Sequence, residues 1–357
     1  MSDNLPHSPS AWTVTLEPSG RAFSVAPDQT ILEASLEQSV KLPYGCQQGT
    51  CGACKCQLRD GQVKSLGQHP LALSPEERND GWILACRSVP QSDLRLLARQ
   101  VVEDDELPVR RLPARIVEMR PLAPEVMLLR LQLPGAEAFR YKAGQYVDFL
   151  LRDGSRRSYS MANDVDTGGP NGLLEFHIRH LPGGVFTDQL FSRMKERDLL
   201  RLEGPFGSVH LDAESSRPLL FLAAGTGFAP IKAMLEQLRR LRSARPIVLY
   251  RGARTLPELY MDEWVNALRT ELPQLRYEPV LSDLAPDDPW TGRRGFVHAA
   301  LVQDWPDLGN CEVYACGAPV VIAAARTACA QAGLPSQAFV ADAFTSRADQ
   351  LPVLEPV

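Results

Sequence analysis

Four cysteines constrain this chain more than any other feature. Cys46, Cys51 and Cys54 stand in a C-x4-C-x2-C arrangement within Tyr44-Gly45-Cys46-Gln47-Gln48-Gly49-Thr50-Cys51-Gly52-Ala53-Cys54, and Cys86 supplies a fourth sulfur further on. That spacing is the ligand pattern of a [2Fe–2S] cluster held by four thiolates. A loop wrapped round so small an object must bring backbone N–H groups close to sulfur, and Gly45, Gly49 and Gly52 give it the freedom to do so. Those N–H groups offset the cluster's negative charge and set its potential. Zinc is the competing occupant, but structural zinc takes paired C-x2-C hooks and only Cys51 and Cys54 form one. Cys56 reads as a small buried hydrophobe. With Cys311, Cys316 and Cys329 scattered, the eight cysteines describe a metal site in a cytoplasmic chain, not a disulfide framework.

A chain of 357 residues exceeds what one compact core accommodates, so two or three domains are expected. The net charge of −5 argues against nucleic acid or an anionic membrane surface as the main partner. Residues 1–10 are polar and lack the basic-then-apolar order of a secretory signal. The most apolar stretch, 218–231, is shorter than the ~20 residues a membrane span needs, so no membrane span is expected.

The pattern changes three times along the chain. In residues 11–98, two alternating runs around Ser19-Gly20 predict a hairpin, and Thr30 with Glu33 predicts a capped helix over 31–39. The acidic run Glu103-Asp104-Asp105-Glu106 ahead of Pro108 predicts a linker over 99–110. Residues 111–212 carry many short strands without long helical periods, which predicts an antiparallel barrel. From 213 to 346 strands alternate with helices, including a helix from Pro257 to Leu268, and predict a parallel α/β sheet. A tail over 347–357 remains. The expected fold class is thus multidomain, α+β and α/β.

Two further segments carry chemistry. Arg157-Ser158-Tyr159-Ser160 offers a cation for a pyrophosphate, an aromatic for a planar ring or ribose, and a hydroxyl for a ring nitrogen. Gly183-Gly184-Val185-Phe186-Thr187 leads into a helix over 186–194, whose N-terminus suits a diphosphate. Gly225-Thr226-Gly227 follows the strand 218–223 and opens the helix 229–241, an arrangement that lets backbone approach a dinucleotide pyrophosphate.

On these residues the N-terminal segment resembles a plant-type ferredoxin domain of β-grasp fold. The whole chain is similar to the ferredoxin–FAD–NAD(P)H reductases, which include oxygenase reductase components and CDP-6-deoxy-3,4-glucoseen reductases. Arg157, Tyr159 and Ser160 match that family's R-x-Y-S motif, with His177 on the next strand. The resemblance implies that these residues bind FAD and that Gly184, Val185 and Thr187 contact its phosphates. It implies that Gly225, Thr226 and Gly227 bind the nicotinamide dinucleotide. Cys316 and Gly317, in the C-G-x-P motif Cys316-Gly317-Ala318-Pro319, then lie near the nicotinamide; Val321 stands where the family commonly has Met. Ser160, Cys316 and Phe344 are the implied catalytic residues, Phe344 covering the flavin. FAD is expected over FMN, and NADH over NADPH. The strand end Leu249–Arg254 shows no acidic residue for a ribose hydroxyl, and Arg251 or Arg254 is placed to meet a 2′-phosphate instead. The implied path runs from NADH through FAD to the cluster, and then to an electron-accepting iron enzyme, an oxygenase or a sugar deoxygenase. A scaffold protein with degenerate sites is disfavoured because all three ligand sets are intact.

Overall fold

Alternation decides the first element: Val14 and Leu16 are buried on β1 (Trp12–Glu17), and on the antiparallel β2 (Ala22–Val25) Phe23, opposite Val14, and Val25 are buried as well. The computed structural model describes residues 11–40, 42–67, 71–98, 107–134, 139–166, 173–212 and 214–345. The chain divides into two compact units, one drawn from residues 1–105 and 345–357, the other from 106–344.

In the first unit Thr30 caps α1 (Ile31–Glu37): its hydroxyl accepts from the Glu33 N–H, while the Glu33 carboxylate accepts from the Thr30 N–H. Substituting such a cap typically costs ~1 kcal/mol. The chain continues through β3 (Lys55–Asp60), β4 (Val63–Ser65), α2 (Pro75–Asn79), β5 (Trp82–Leu84), β6 (Ser88–Pro90) and β7 (Leu94–Leu97). The main sheet has the order β2-β1-β7-β3-β5, with β1 and β7 parallel. Ile31 and Leu32 of α1 join Val14, Leu16, Leu94 and Leu96 in one core, which also receives Cys54 and Cys86. The helix on a mixed sheet is the expected β-grasp arrangement.

The second unit begins with β8 (Arg110–Ala123), β9 (Val126–Gln132), β10 (Tyr146–Leu150), β11 (Arg156–Ser160), β12 (Leu173–Arg179), α3 (Val185–Ser192) and β13 (Leu199–Phe206). Their sheet, β11-β10-β13-β8-β9-β12, is antiparallel throughout. Phe149 meets Phe176 and Phe186 edge-on at its centre, with ring centroids 5.1 and 5.3 Å apart. Each such buried ring contributes roughly 1.5–3 kcal/mol.

Next come β14 (Leu219–Ala224), α4 (Phe228–Arg240), β15 (Ile247–Ala253), α5 (Asp262–Glu271), β16 (Leu275–Leu281), β17 (Arg293–Arg294), α6 (Val297–Asp304), β18 (Glu312–Gly317), α7 (Pro319–Gln331) and β19 (Phe339–Ala343). The parallel sheet has the order β17-β16-β15-β14-β18-β19. The chain builds outward from β14 on one side and returns to its other side at β18. Strand order therefore reverses between β14 and β18, and open α/β sheets bind ligands outside the carboxyl ends of the strands at such a point.

The barrel and the α/β sheet lie in one compact unit and share a core in which Val126, Ala143 and Val209 meet Phe221, Phe228 and Met234. α5 starts at Asp262, not Pro257, because Leu256–Glu258 makes a short 3-10 turn and Met261 takes a left-handed φ of 58°. The expected linker lies outside the described residues as far as 106, as does the tail 347–357.

Candidate functional site

The cysteine loop presents its backbone to sulfur. Cys46 Sγ accepts from the N–H groups of Gln48, Thr50 and Cys51 at 3.4, 3.4 and 3.3 Å and from the Thr50 hydroxyl at 3.2 Å. Cys51 Sγ accepts from the N–H groups of Cys46 and Ala53. Gly49 and Gly52 take φ of 78° and 70°, the left-handed conformation in which a side chain is strained.

The sulfurs are disposed as two pairs, not as three ligands about one point among the described residues. Cys46 is hydrogen-bonded to Cys51, and Cys54 Sγ lies 3.2 Å from Cys86 Sγ. A hydrogen bond from the Cys51 thiol, helped by the Thr50 hydroxyl and the loop N–H groups, draws the Cys46 pKa down to about 5 against its burial. Cys51 is pushed up by its bond to Cys46, its burial and the neighbouring thiolates, and Cys54 likewise by Cys86 and burial. Four sulfurs in two pairs, the Cys46–Cys51 pair under a canopy of N–H donors, fit a two-iron cluster that takes two thiolates on each iron.

In the second unit the two flavin-type segments come side by side. The Tyr159 ring of β11 packs 5.2 Å from Phe149 and 5.5 Å from Phe186, the second residue of α3. Gly184 precedes that helix where a Cβ would stand 2.4 Å from Thr187 Oγ1 and 2.8 Å from Leu181 O, so the turn closes only on glycine. The Thr187 hydroxyl is engaged inside the turn, donating to Leu181 O and accepting from Leu181 N–H. The first-turn N–H groups of α3, beginning at Val185, are the donors this turn offers an anion. Arg157, half-buried on β11, puts a cation on the same strand, its Nη1 donating to Arg156 O at 2.7 Å. A strand with Arg, Tyr and Ser beside a glycine-closed helix N-terminus fits a flavin diphosphate.

His177 stands apart from the expectation for its side chain. The ring is buried, its Nε2 3.1 Å from Glu175 Oε1 and its Nδ1 3.2 Å from the Tyr260 hydroxyl. Burial lowers its pKa, so the neutral ring donates from Nε2 to Glu175 and accepts at Nδ1 from Tyr260. Both nitrogens are committed to protein, which leaves neither for a cofactor.

At the sheet's switch point, Gly227 lies so near β18 that a Cβ would fall 2.0 Å from Cys316 O and 2.3 Å from Cys316 C. Gly225 takes φ of 55° in open space, and Gly317 takes φ of 153° against Ala224. These placements hold the Gly225-Thr226-Gly227 turn and the Cys316-Gly317 strand end together, with open backbone toward a pyrophosphate. The Phe344 N–H donates to Gly317 O at 2.8 Å.

The structure adds a residue that the sequence reading passed over. Asp342, opposite Cys316 in the β18–β19 register, accepts a 3.3 Å hydrogen bond at Oδ2 from the Ser160 hydroxyl. Ser160, Cys316 and Asp342 are all buried. Burial, reinforced by the Asp342 charge, pushes the Cys316 pKa up, so it is a neutral thiol. The only hint of Asp342 in sequence was an acid within an otherwise apolar strand.

Glu258 was missed as well. Its carboxylate accepts from the Arg254 N–H and Nε at 3.1 and 2.8 Å, which brings an acid to the end of β15 where the linear sequence shows none. Arg251, by contrast, is buried with its guanidinium 3.9 Å from the Phe228 ring centre and 4.6 Å from that of Tyr260. It is not presented to a phosphate.

Comparison with known proteins matches three family models in order: a 2Fe-2S iron-sulfur cluster binding domain over residues 14–91, an oxidoreductase FAD-binding domain over 113–211, and an oxidoreductase NAD-binding domain over 221–327. The chain is 38% identical over 331 residues to the CDP-6-deoxy-L-threo-D-glycero-4-hexulose-3-dehydrase reductase of Yersinia pestis, covering 93% of this chain and 98% of that protein. It is 37% identical over 325 residues to terephthalate 1,2-dioxygenase reductase component 2 of a Comamonas species, covering 91% and 95%. Among solved structures, the Amycolatopsis cytochrome P450 reductase GcoB superposes with a TM-score of 0.72 at 32% identity, over 94% of this chain and 99% of that one. No helix among the described residues is long and apolar enough to cross a membrane. With its cysteine loop, flavin cradle and nicotinamide turn matched in the same order along nearly the whole of these relatives, the chain belongs to the ferredoxin–FAD–NAD(P)H reductases, oxidoreductases that carry electrons between a nicotinamide, FAD and a [2Fe–2S] cluster.

Proposed function

We propose that the chain oxidises NADH at a site built from Ser160, Cys316, Asp342 and Phe344, and delivers the electrons through a cluster on Cys46, Cys51, Cys54 and Cys86 to an iron-containing oxygenase. The observation that carries the reading is the hydrogen bond from Ser160 to Asp342 across 182 residues of chain. It brings the end of the flavin strand to the end of the nicotinamide sheet. FAD, once bound, supplies the conversion of a two-electron donor into single-electron steps.

The chain's residues do the rest by position and charge. Arg157 and the α3 N-terminus hold the diphosphate, and Tyr159 packs beside it. The Asp342 carboxylate fixes the Ser160 Oγ proton toward itself and leaves the oxygen's lone pairs for a ring N–H. Cys316, neutral and fully buried, packs the nicotinamide side without adding charge. The backbone of the Gly225-Thr226-Gly227 turn admits the dinucleotide. Gly184 and Val185 contact phosphate through backbone; Thr187 holds the turn's shape.

NADH is favoured over NADPH by Glu258, which neutralises Arg254 and would repel a 2′-phosphate while accepting from a ribose hydroxyl. None of the eight cysteines is joined to another in a disulfide, as suits a reducing, cytoplasmic setting. The proposed domains, 11–98, 111–212 and 213–346 with a linker over 99–110, contain the three matched family regions. A sugar dehydrase is a second reading of the partner, carried by the 38% match to a hexulose-3-dehydrase reductase.

The test is the anaerobic visible spectrum of the purified protein with and without NADH. Flavin peaks on broad cluster absorbance, both bleaching with NADH, are expected; flavin absorbance alone would refute the path to the cluster. Adding each candidate iron enzyme to the reduced protein, with cytochrome c as control, then separates the two partners by the rate of reoxidation.

A further inference from the structure

One face of α4 reaches out of the nucleotide-binding sheet and into the barrel. Lys232, Glu236 and Arg240 follow each other at helical i, i+4, i+8 spacing, so they form one stripe. The Lys232 ammonium lies 2.6 Å from Glu236 Oε1 on its own helix, 3.0 Å from Glu175 Oε1 on β12, and 3.0 Å from the carbonyl oxygen of Ala162. Glu236 Oε2 accepts the Asp164 N–H at 3.0 Å, and Arg240 Nε donates to Asp164 Oδ2 at 2.6 Å. The Lys232 and Glu175 side chains are each only 4% exposed.

Two facts of placement give this stripe its meaning. Ala162 lies two residues after Ser160, and Asp164 four, so the barrel partners belong to the run of chain that positions the flavin-facing serine. Lys232 lies five residues after Gly227, on the helix that the dinucleotide turn opens. A rigid helix thus connects the turn to that segment through Lys232, Glu236 and Arg240, and of the three only the Lys232 ammonium also reaches β12.

Burying charge among apolar neighbours is unfavourable unless every charge is paired and hydrogen-bonded, and well-packed apolar residues would glue the two parts at least as strongly. What apolar packing lacks is direction. An ammonium with three donors and three oxygens on two different parts of the unit is satisfied in one relative placement only.

We propose that Lys232 is a positioning residue for hydride transfer: it fixes the flavin segment Ser160–Asp164 against the nicotinamide turn through Glu175, Ala162 and Glu236. The proposal rests on the reductase reading above. Misplacement of reacting atoms by ~1 Å costs on the order of a hundredfold in rate, so a lock of this kind acts on chemistry while touching no reacting atom.

The experiment uses the full-length, flavin- and cluster-loaded protein and three variants. Lys232→Met removes the lock; Lys232→Met/Glu236→Gln removes it while restoring charge balance; Arg240→Met removes the outer, half-exposed rung. Flavin reduction is followed anaerobically at saturating NADH and 4-deuterated NADH, alongside FAD content, thermal midpoint and amide exchange over residues 162–166. For the double variant the expected result is native FAD content and a thermal midpoint near wild type. Its flavin reduction should be slowed at least tenfold with a larger isotope effect, and its exchange at 162–166 at least tenfold faster. Arg240→Met is expected to slow reduction about threefold. A merely structural role predicts the opposite, with rate returning together with stability in the double variant. Wild-type reduction rates in the double variant overturn the proposal, as do wild-type rates in Arg240→Met if neither Lys232 variant folds. A wild-type protein that NADH fails to bleach would sink the reductase reading itself, before any variant is compared.

Discussion

Replacing Gly227 by alanine tests the nicotinamide site at its tightest point. The new Cβ would stand 2.0 Å from Cys316 O, 2.3 Å from Cys316 C and 2.7 Å from Gly317 N, all backbone atoms. Bringing the first of these to the 3.4 Å of ordinary contact requires the turn and β18 to part by about 1.4 Å. No side chain can move aside to absorb this. The parted elements are those proposed to hold the dinucleotide and the nicotinamide, and a displacement of ~1 Å costs on the order of a hundredfold in rate. Gly225→Ala is the control. There φ is 55° but nothing lies within 4 Å, so the change adds strain of roughly 1–2 kcal/mol without displacing β18. Stopped-flow flavin reduction with NADH should therefore fall about a hundredfold or more in Gly227→Ala, and much less in Gly225→Ala. The cluster spectrum should stay intact in both, because the cysteines belong to the other unit. Gly227→Ala within threefold of wild type, or Gly225→Ala the worse of the two, would refute the close-approach argument.

Asp342→Asn replaces a charge-assisted partner of Ser160 by a neutral one, a loss of ~1–1.5 kcal/mol; flavin reduction should slow roughly tenfold with FAD content unchanged. Glu258→Gln removes the nearer of two carboxylates on the Arg254 guanidinium and leaves Glu125 at 3.7 Å, so the kcat/KM ratio of NADPH to NADH should rise severalfold, and an unchanged ratio would remove the argument for NADH. Acid should destabilise the second unit in two stages. The folded pKa of His177 is lowered from 6.5 by burial, so the unfolded chain takes up its proton first and stability falls as pH drops below about 6.5. Burial alone would raise Glu175, but His177 and Lys232 outweigh it and hold it well below its ordinary 4.5, so its contribution is present above that pH and is lost as pH falls further. The unfolding free energy from urea titrations read by flavin fluorescence should decline from near pH 6.5, with a slope of at most ~1.4 kcal/mol per pH unit for each group; His177→Gln should shrink the first stage to what His298 contributes, whose pKa burial also lowers.

What could be read from sequence and what could not divide along a physical line. The cysteine loop, Arg157-Ser158-Tyr159-Ser160 and Gly225-Thr226-Gly227 are legible because backbone shape is encoded locally: glycine is required where a turn is tight, and ligand spacing where a loop wraps. Sheet order was partly legible, since strand–helix alternation implies parallel strands. Asp342 was not legible, because it acts on a partner that only the tertiary fold supplies; Glu258 was passed over although Arg254 stands just four residues before it, because the turn joining them leaves no pattern in the sequence. Asp342 meets Ser160 from the far end of the chain, and Glu258 folds back on Arg254 through the short 3-10 turn ahead of α5. His177 shows how a tertiary partner can hide in the same way. A histidine on a strand next to a flavin motif looked like a ligand, yet Glu175 and Tyr260 occupy both its nitrogens. A polar residue inside an apolar strand announces a partner without saying whether the partner is protein or cofactor.

The division into two units follows from the chemistry each must perform. Hydride moves as an atom, so donor and acceptor must approach to contact with aligned orbitals, and ångström errors are expensive in rate. The residues proposed for that step lie on or beside β11, β14, β18 and β19, in one unit with a shared core and a buried ionic stripe. The cluster requires something different: four thiolates in fixed pairs and enough N–H donors to stabilise their charge, all of which one loop and Cys86 provide within a small sheet and its own core. Because neither site borrows a ligand from the other, lesions should separate. A defect in the Gly227 turn should spare the cluster spectrum, and loss of Cys86 should spare hydride transfer to the flavin. A protein in which either change abolished both would have its two sites energetically coupled, contrary to the separate cores seen here.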